Sequence, residues 1–261
     1  MTWEVIYGDC IKGMVIDADI EPHSIDMVFA DPPFGIDFDR RSDDTYGRSK
    51  ERRLNGYKEI RKGNYYEFTK AWLGAIKSVI KPSATIYIVS GWTNTHIIEW
   101  IAVEDLGWFK MNKIIWHYSN PLPTQKKYRS AHYEISVFVP TKWCFKQTHH
   151  TFNLPRGKTQ PYEDVWYIKR DMTVKKHYLP NATKLPNQLV ERCILTSTNE
   201  EDLVLDPFVG NGTTPAMCVK HGRHFIGYEV NENAKETIDY MVDKAKMIYK
   251  GKRSLVGFLN E

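Results

Sequence analysis

Short apolar runs of strand length alternate with amphipathic stretches of helix length along most of the chain, separated by turn-forming residues. Val5-Ile6-Tyr7 ahead of Gly8-Asp9-Cys10 predicts a short strand and turn. Ile25 to Ala30 is apolar on both faces apart from Asp26, the pattern of a strand covered on both sides. From Phe68 to Ile80 the apolar positions Phe68, Trp72, Ala75, Ile76 and Val79 fall on one side of a helix, which Pro82 ends. Ala84 to Val89 predicts a strand closed by Ser90-Gly91, and Thr93 to Leu106 a helix with Gly107 at its C-terminal end. Lys113 to Trp116 and Ile135 to Val139 predict later strands of the same sheet. After a weaker stretch come a helix from Leu185 to Leu195, a strand from Leu203 to Leu205 and a helix from about Thr214 to Lys220. A strand from Phe225 to Tyr228 and a helix from about Asn233 to Tyr249 follow.

Alternation of this kind predicts an α/β fold with a doubly wound, mostly parallel sheet. Two segments interrupt it. Residues 37–64 carry nine Lys/Arg and six Asp/Glu with few aliphatics, a long polar connection. Residues 140–180 hold eight Lys/Arg against three Asp/Glu, interleaved with Trp143, Phe145, Phe152, Tyr162, Trp166, Tyr167 and Tyr178. Basic residues among aromatics suit a nucleic-acid face, but composition alone favours an ordinary small β-lobe with a basic surface. At 261 residues, 42% of them hydrophobic, the chain can bury a substantial core. The net charge of +4 permits a nucleic-acid partner without requiring one. The four cysteines include no C-x-x-C pair, and scattered thiols suit a reducing compartment. The N-terminal residues lack a charged segment leading into an apolar one, and no apolar run approaches the roughly 20 residues that span a bilayer. A cytoplasmic protein is expected.

Two turns carry the chemistry. Asp31-Pro32-Pro33-Phe34 follows the Ile25–Ala30 strand directly, and Asp206-Pro207-Phe208-Val209-Gly210-Asn211-Gly212-Thr213-Thr214 follows the Leu203–Leu205 strand. In open α/β sheets ligands bind at the carboxyl ends of strands. Gly210 and Gly212 fill the first two places of a dinucleotide fingerprint, but Pro215 stands where the third glycine belongs, and a Walker lysine is missing. A phosphate-cradling loop is therefore disfavoured. Glu229, 23 positions after Asp206, is spaced to meet ribose hydroxyls. An acidic loop suits a nucleoside cofactor bearing an amino group and a sulfonium, which points to S-adenosylmethionine. At the first turn, the lone pair of an exocyclic base amine is delocalised into its ring. Two acceptors aimed at its hydrogens favour the pyramidal, nucleophilic form. The Asp31 carboxylate and the Pro32 carbonyl can supply them, the prolines stiffen the turn, and Phe34 offers a stacking face. Such an amine is reached only when its base is flipped out of the duplex.

With these motifs the chain resembles the permuted "beta" class of DNA amino-methyltransferases, which make N6-methyladenine or N4-methylcytosine. That class carries D-P-P-Y/F or S-P-P-Y N-terminally and F-x-G-x-G C-terminally, as Asp31–Phe34 and Phe208–Gly212 do here. The resemblance implies catalytic roles for Asp31, Pro32, Pro33 and Phe34. It implies cofactor contacts from Asp9 and Cys10 in the adenine-binding turn and from Asp31. Lys184 and Asn187 would serve the methionine end. Asp206, Phe208, Gly210, Gly212, Thr213, Thr214, Glu229 and Asn231 complete the cofactor set. It divides the chain into a catalytic half (1–139), a target-recognition region (140–180) and a cofactor-binding half (181–261). Lys126, Lys127, Arg129, Lys175 and Lys176 become candidates for contact with double-stranded DNA. A prokaryotic or viral host, a homodimer and a cognate restriction endonuclease are further expectations. Phe at position 34, where Tyr is commoner, keeps the stacking face and loses only a hydroxyl. Asp at the head of the motif favours adenine, with N4-cytosine the alternative. RNA or a protein glutamine amide goes usually with Asn-Pro-Pro-Tyr, and a non-catalytic, cofactor-dependent DNA-binding regulator is the reading from another class.

No metal is expected: His149, His150 and Cys144 lack further ligands at a credible spacing. A carbon-5 cytosine mechanism needs a Pro-Cys nucleophile, and the chain has no such dipeptide. Ser90-Gly91 is too short for a nucleophile elbow.

Overall fold

The computed structural model describes residues 1–35, 60–119, 121, 125, 128–142, 163–171 and 184–259, with backbone alone at 62 and 252–259. One eight-stranded sheet organises them. Its strands are β1 (Trp3–Tyr7), β2 (Ile25–Ala30), β3 (Ile80–Ser90), β4 (Phe109–His117), β5 (His132–Val139), β6 (Val165–Tyr167), β7 (Leu203–Asp206) and β8 (His224–Glu229). They lie in the order β1-β8-β7-β2-β3-β5-β4-β6. Every neighbouring pair is parallel except β3/β5 and β5/β4, so β5 alone runs against the rest.

Both faces are covered, as the apolar strands require. Alternation along β2 sends Met27 and Phe29 to one face and Val28 and Ala30 to the other. Three helices pack on the Met27 side: α4 (Asn187–Ser197), α5 (Thr213–Lys220) and α6 (Lys235–Leu259). The opposite face carries α1 (Cys10–Lys12, continuing as a wider turn to Asp17), α2 (Tyr65–Val79) and α3 (Thr95–Trp100, continuing to Asp105). Trp72 and Ile76 of α2 are fully buried there. Asp26, the polar exception in β2, accepts the Leu203 N–H at 3.0 Å and Lys81 Nζ at 2.6 Å, fixing β7 and β3 to either side of β2.

The doubly wound, mostly parallel architecture is the expected one. The differences are local. A helical turn follows Gly8 because Asp9 Oδ1 caps it, accepting from Ile11 N and Lys12 N at 2.8 and 3.0 Å. Strand β3 begins at Ile80 and runs through Pro82, since residues ahead of a proline favour extended backbone. Helix α4 starts at Asn187, two residues later than expected, with Pro186 in extended conformation before it. Helix α6 runs ten residues beyond Tyr249. Within the basic aromatic segment, Val165–Tyr167 pairs with β4 and buries Trp166 in the core. No described helix is long and apolar enough to cross a membrane.

Candidate active site

Strand order brings the distant motifs together. Four neighbouring parallel strands, β1, β8, β7 and β2, end at the same sheet edge. Their tips carry Gly8-Asp9-Cys10, Glu229, Asp206 and Asp31 respectively. The register pairs Tyr7 with Glu229, Asp206 with Gly227, and Val28 with Leu205. Asp31 and Asp206, 175 positions apart in sequence, therefore stand at adjoining tips.

The glycine loop after β7 is built by its own carboxylates. Asp206 accepts from Phe208 N at 2.9 Å and from Thr214 Oγ1 at 2.5 Å, closing the turn onto the first residues of α5. Glu229 accepts from Gly210 N at 2.7 Å and from Asn231 N at 2.8 Å. A carboxylate has about four acceptor sites, so Glu229 can shape this loop and still receive hydroxyl donors. Gly210 and Gly212 have φ of 54° and 80°. A Cβ on Gly212 would press on Ile238 Cα at 3.0 Å, so packing and conformation both demand glycine there. Beyond Gly210 the space is open: its nearest neighbour to a Cβ is Phe208 O at 3.9 Å. The Phe208 side chain packs against Phe68 and Trp72. Thr213 Oγ1 reaches Leu185 O at 3.3 Å, which joins the 184–187 segment to the loop. Lys184 is buried with Nζ 3.0 Å from Asp171 Oδ2, Asn187 is exposed in the first turn of α4, and Asn231 is buried.

Three features make these strand tips a candidate ligand site. Asn211 Oδ1 is buried with no hydrogen-bond partner among the described residues. The Asp31 carboxylate likewise receives no hydrogen bond or ion pair from any described residue. Burial, and then the like charge of Asp206, pushes its pKa up to about 7. Burial does the same to Asp206, also to about 7, and raises Glu229. Three carboxylates with no ion pair to a described residue favour a ligand that brings positive charge and hydrogen-bond donors. Cys10 lies in the same crevice, but burial and the charge of Asp9 push its thiol to about 12, which removes it as a nucleophile at neutral pH.

The Asp31-Pro32-Pro33-Phe34 turn is held by groups that the sequence did not single out. Asn94, ahead of α3, donates from Nδ2 to the Phe34 carbonyl, and Ser90 and Thr95 bond at 2.7 Å beneath it. Gly35 has φ of 63°, and a Cβ there would strike the Tyr65 ring. A glycine just after D-P-P-F was a legible signal for a left-handed residue; Asn94 offered only a helix-start pattern. The Phe34 ring packs at 5.6 Å from Tyr133, which belongs to a cluster with Trp116 and Tyr118. Of the candidate DNA contacts, Arg129 is exposed beside Tyr128. Lys126, Lys127, Lys175 and Lys176 lie outside the described residues, as do His149, His150 and Cys144.

Comparison with known proteins agrees with this geometry. The chain is 32% identical over 253 residues to the type II methyltransferase M.HpaI of Haemophilus parainfluenzae, covering 92% of this chain and 75% of the relative. It is 29% identical over 237 residues to the type II methyltransferase M2.DpnII of Streptococcus pneumoniae, covering 87% and 85%. Among solved structures it matches the cytosine-N4-specific PvuII DNA methyltransferase with a TM-score of 0.72 at 15% identity, over 96% of this chain and 92% of that one. It matches the complex of M1.HpyAVI with SAM at 0.62 and 20% identity, over 92% and 99%. A family profile for DNA methylases acting at N6 or N4 matches residues 25–239. The chain belongs to that N6/N4 DNA methylase family.

Proposed function

We propose that this DNA methyltransferase moves the methyl group of S-adenosylmethionine to the N6 amine of a flipped adenine in double-stranded DNA. The observation that carries the reading is the Asp31 carboxylate, which has no partner among the described residues and adjoins the glycine loop. S-adenosylmethionine supplies the electrophilic methyl when bound. The residues present fit it. Glu229 has acceptor capacity for ribose hydroxyls, Asn211 Oδ1 awaits a donor, and Gly210 leaves room for a nucleoside. Asp31 and the Pro32 carbonyl accept the two amine hydrogens and so direct the nitrogen lone pair toward the methyl. Phe34 stacks on the base. No covalent bond to the enzyme is needed: the amine nitrogen would gain the methyl as the cofactor's sulfur–methyl bond breaks, and Asp31 would stabilise the positive charge on the amine until it gives up a proton.

N4 of cytosine presents the same amine geometry, and the structural relative specific for that position has the same fold. Nucleoside mass spectrometry of duplex DNA treated with enzyme and cofactor separates the two. N6-methyldeoxyadenosine is the expected product; N4-methyldeoxycytidine would move the target to cytosine, and neither product would refute the reading. Residues 140–180 are assigned to target recognition, with Lys126, Lys127, Arg129, Lys175 and Lys176 on the DNA. A homodimer and a partner endonuclease in a restriction system fit the type II relatives.

The acidic crevice sets a pH dependence. A carboxylate with a raised pKa holds its proton up to about pH 7, and only the ionised form accepts both from the amine and opposes a cation. Single-turnover methylation is therefore expected to rise from pH 6 to pH 8 and then level off. The affinity for S-adenosylmethionine should rise over the same interval more than that for uncharged S-adenosylhomocysteine. A flat profile for both would remove Asp31 and Asp206 from contact with the transferred charge. Without ligand the sign for stability is opposite. The folded state holds these protons more tightly than the unfolded chain, so the apo protein should lose stability as pH rises from about 4 to 7.

A further inference from the structure

Tyr133 is the feature of the site that the methylation reading leaves unused. Strand β5 pairs Glu134 with Ser90, which sets Tyr133 level with Gly91, and a Cβ on Gly91 would lie 3.7 Å from Phe34 Cδ2. Tyr133 packs with the core cluster that also contains Met27 and Phe29. By strand alternation Asp31 continues the Met27–Phe29 row, so Asp31 and the phenol share one side of the sheet. Their electrostatic coupling agrees: the charge of Asp31 acts to raise the pKa of Tyr133, after burial as the main cause. The phenol is therefore a neutral O–H at physiological pH.

Arg170 fixes what that hydroxyl can do. Its guanidinium carbon lies 4.1 Å from the centre of the Tyr118 ring, and its charge acts on the neighbouring Tyr133 phenol to favour negative charge on the oxygen. The segment carrying it is pinned on both sides, by Trp116 Nε1 donating to Ile168 O at 2.7 Å and by the Asp171–Lys184 pair at 3.0 Å. A phenol has one donor hydrogen and acceptor lone pairs. With the Arg170 cation beside the oxygen, the hydrogen is directed elsewhere, and no hydrogen bond gives it an acceptor among the described residues. Beside Phe34 and Asp31, that elsewhere is the edge of the target base.

We infer that Tyr133 is a specificity-determining residue which donates its phenolic hydrogen to the ring nitrogen beside the target amine, N1 of adenine or N3 of cytosine, with Arg170 as its positioning residue. The inference rests on the methylation reading above. Adenine and cytosine present an amine donor next to a bare ring nitrogen, the complement of an Asp31 acceptor next to a Tyr133 donor. Guanine and thymine present a carbonyl next to a ring N–H, so both contacts become repulsive. The pair thus selects bases with a methylatable amine and expels the others after flipping, as reading of the Watson–Crick edge allows.

The test is a cycle between a side chain and a single atom of the base. Duplexes carry at the target either the natural base or its analogue with that ring nitrogen replaced by C–H, 1-deazaadenine or 3-deazacytosine. Single-turnover methylation is measured with wild type and Tyr133→Phe. Wild type should favour the natural base, and the preference should shrink by about tenfold in Tyr133→Phe, the worth of one hydrogen bond. Cofactor affinity should be unchanged. Arg170→Gln should shrink the preference too, which loss of packing alone would not do, and it serves as the second variant if Tyr133→Phe fails to bind cofactor. The same preference in wild type and variants overturns the inference while leaving the methylation reading intact. No transfer by wild type to natural duplex would overturn that reading first, and the inference with it.

Discussion

Asp31→Ala is expected to reduce methyl transfer by a factor of about a thousand, a far larger effect than its loss of cofactor affinity, because it removes a preorganised acceptor used as charge develops. The geometry explains the separation. The Asp31 carboxylate makes no hydrogen bond or ion pair with any described residue, so its removal leaves no local partner stranded. The turn keeps its shape through Asn94 and Gly35. Burial of the carboxylate is unfavourable, as its raised pKa records, so the variant should be no less stable than wild type near pH 8. Asp31→Asn tests the same point with a smaller change in volume. An amide offers one acceptor but no charge, and it should recover little of the rate. Single-turnover kinetics beside calorimetric titration of cofactor would decide. Turnover near wild type in Asp31→Ala would remove the residue from catalysis.

Glu229→Ala should have the opposite signature, with cofactor affinity lowered about 10- to 100-fold, the worth of one or two hydrogen bonds to a charged group. Two effects add. The ribose acceptor is lost, and the backbone N–H groups of Gly210 and Asn231 lose the carboxylate that aligns the loop. Glu229→Gln should not rescue binding. One oxygen of the carboxylate would become an NH2, facing a backbone N–H donor at whichever of the two contacts it took. The melting temperature should fall in both variants without ligand, since the loop contact belongs to the apo protein. A cofactor affinity equal to wild type in either variant would remove Glu229 from the site.

How far the sequence reaches is clear from these two residues. Asp31 and Asp206 were legible because each ends an apolar strand run and begins a turn with its own proline. The doubly wound sheet was legible for the same reason: apolar strands alternate with one-sided helices. The neighbourhood of the two turns was not derivable from either alone, since it depends on β7 inserting beside β2 across 175 positions. Glu229 was found by spacing, yet its bonds to Gly210 and Asn231 were invisible, because backbone N–H groups carry no sequence signature. Phe208 matched a cofactor motif, while its packing on Phe68 and Trp72 had no sequence signature. Tyr133, Asn94 and Arg170 escaped notice because isolated residues on separate elements acquire a role only when the strand register assembles them. The short strand at Val165–Tyr167 was masked by the polar composition around it, although Trp166 anchors it in the core.

The decisive measurement is a structure of the ternary complex with a target duplex and an unreactive cofactor analogue. One base is expected rotated out of the duplex and stacked on Phe34, its amine within about 2.7–3.2 Å of both Asp31 and the Pro32 carbonyl. The sulfur of the analogue should lie on the far side of that nitrogen, over the loop at 206–214. A cofactor seated there with the duplex docked on another edge of the sheet, and no base at Asp31, would contradict this mechanism.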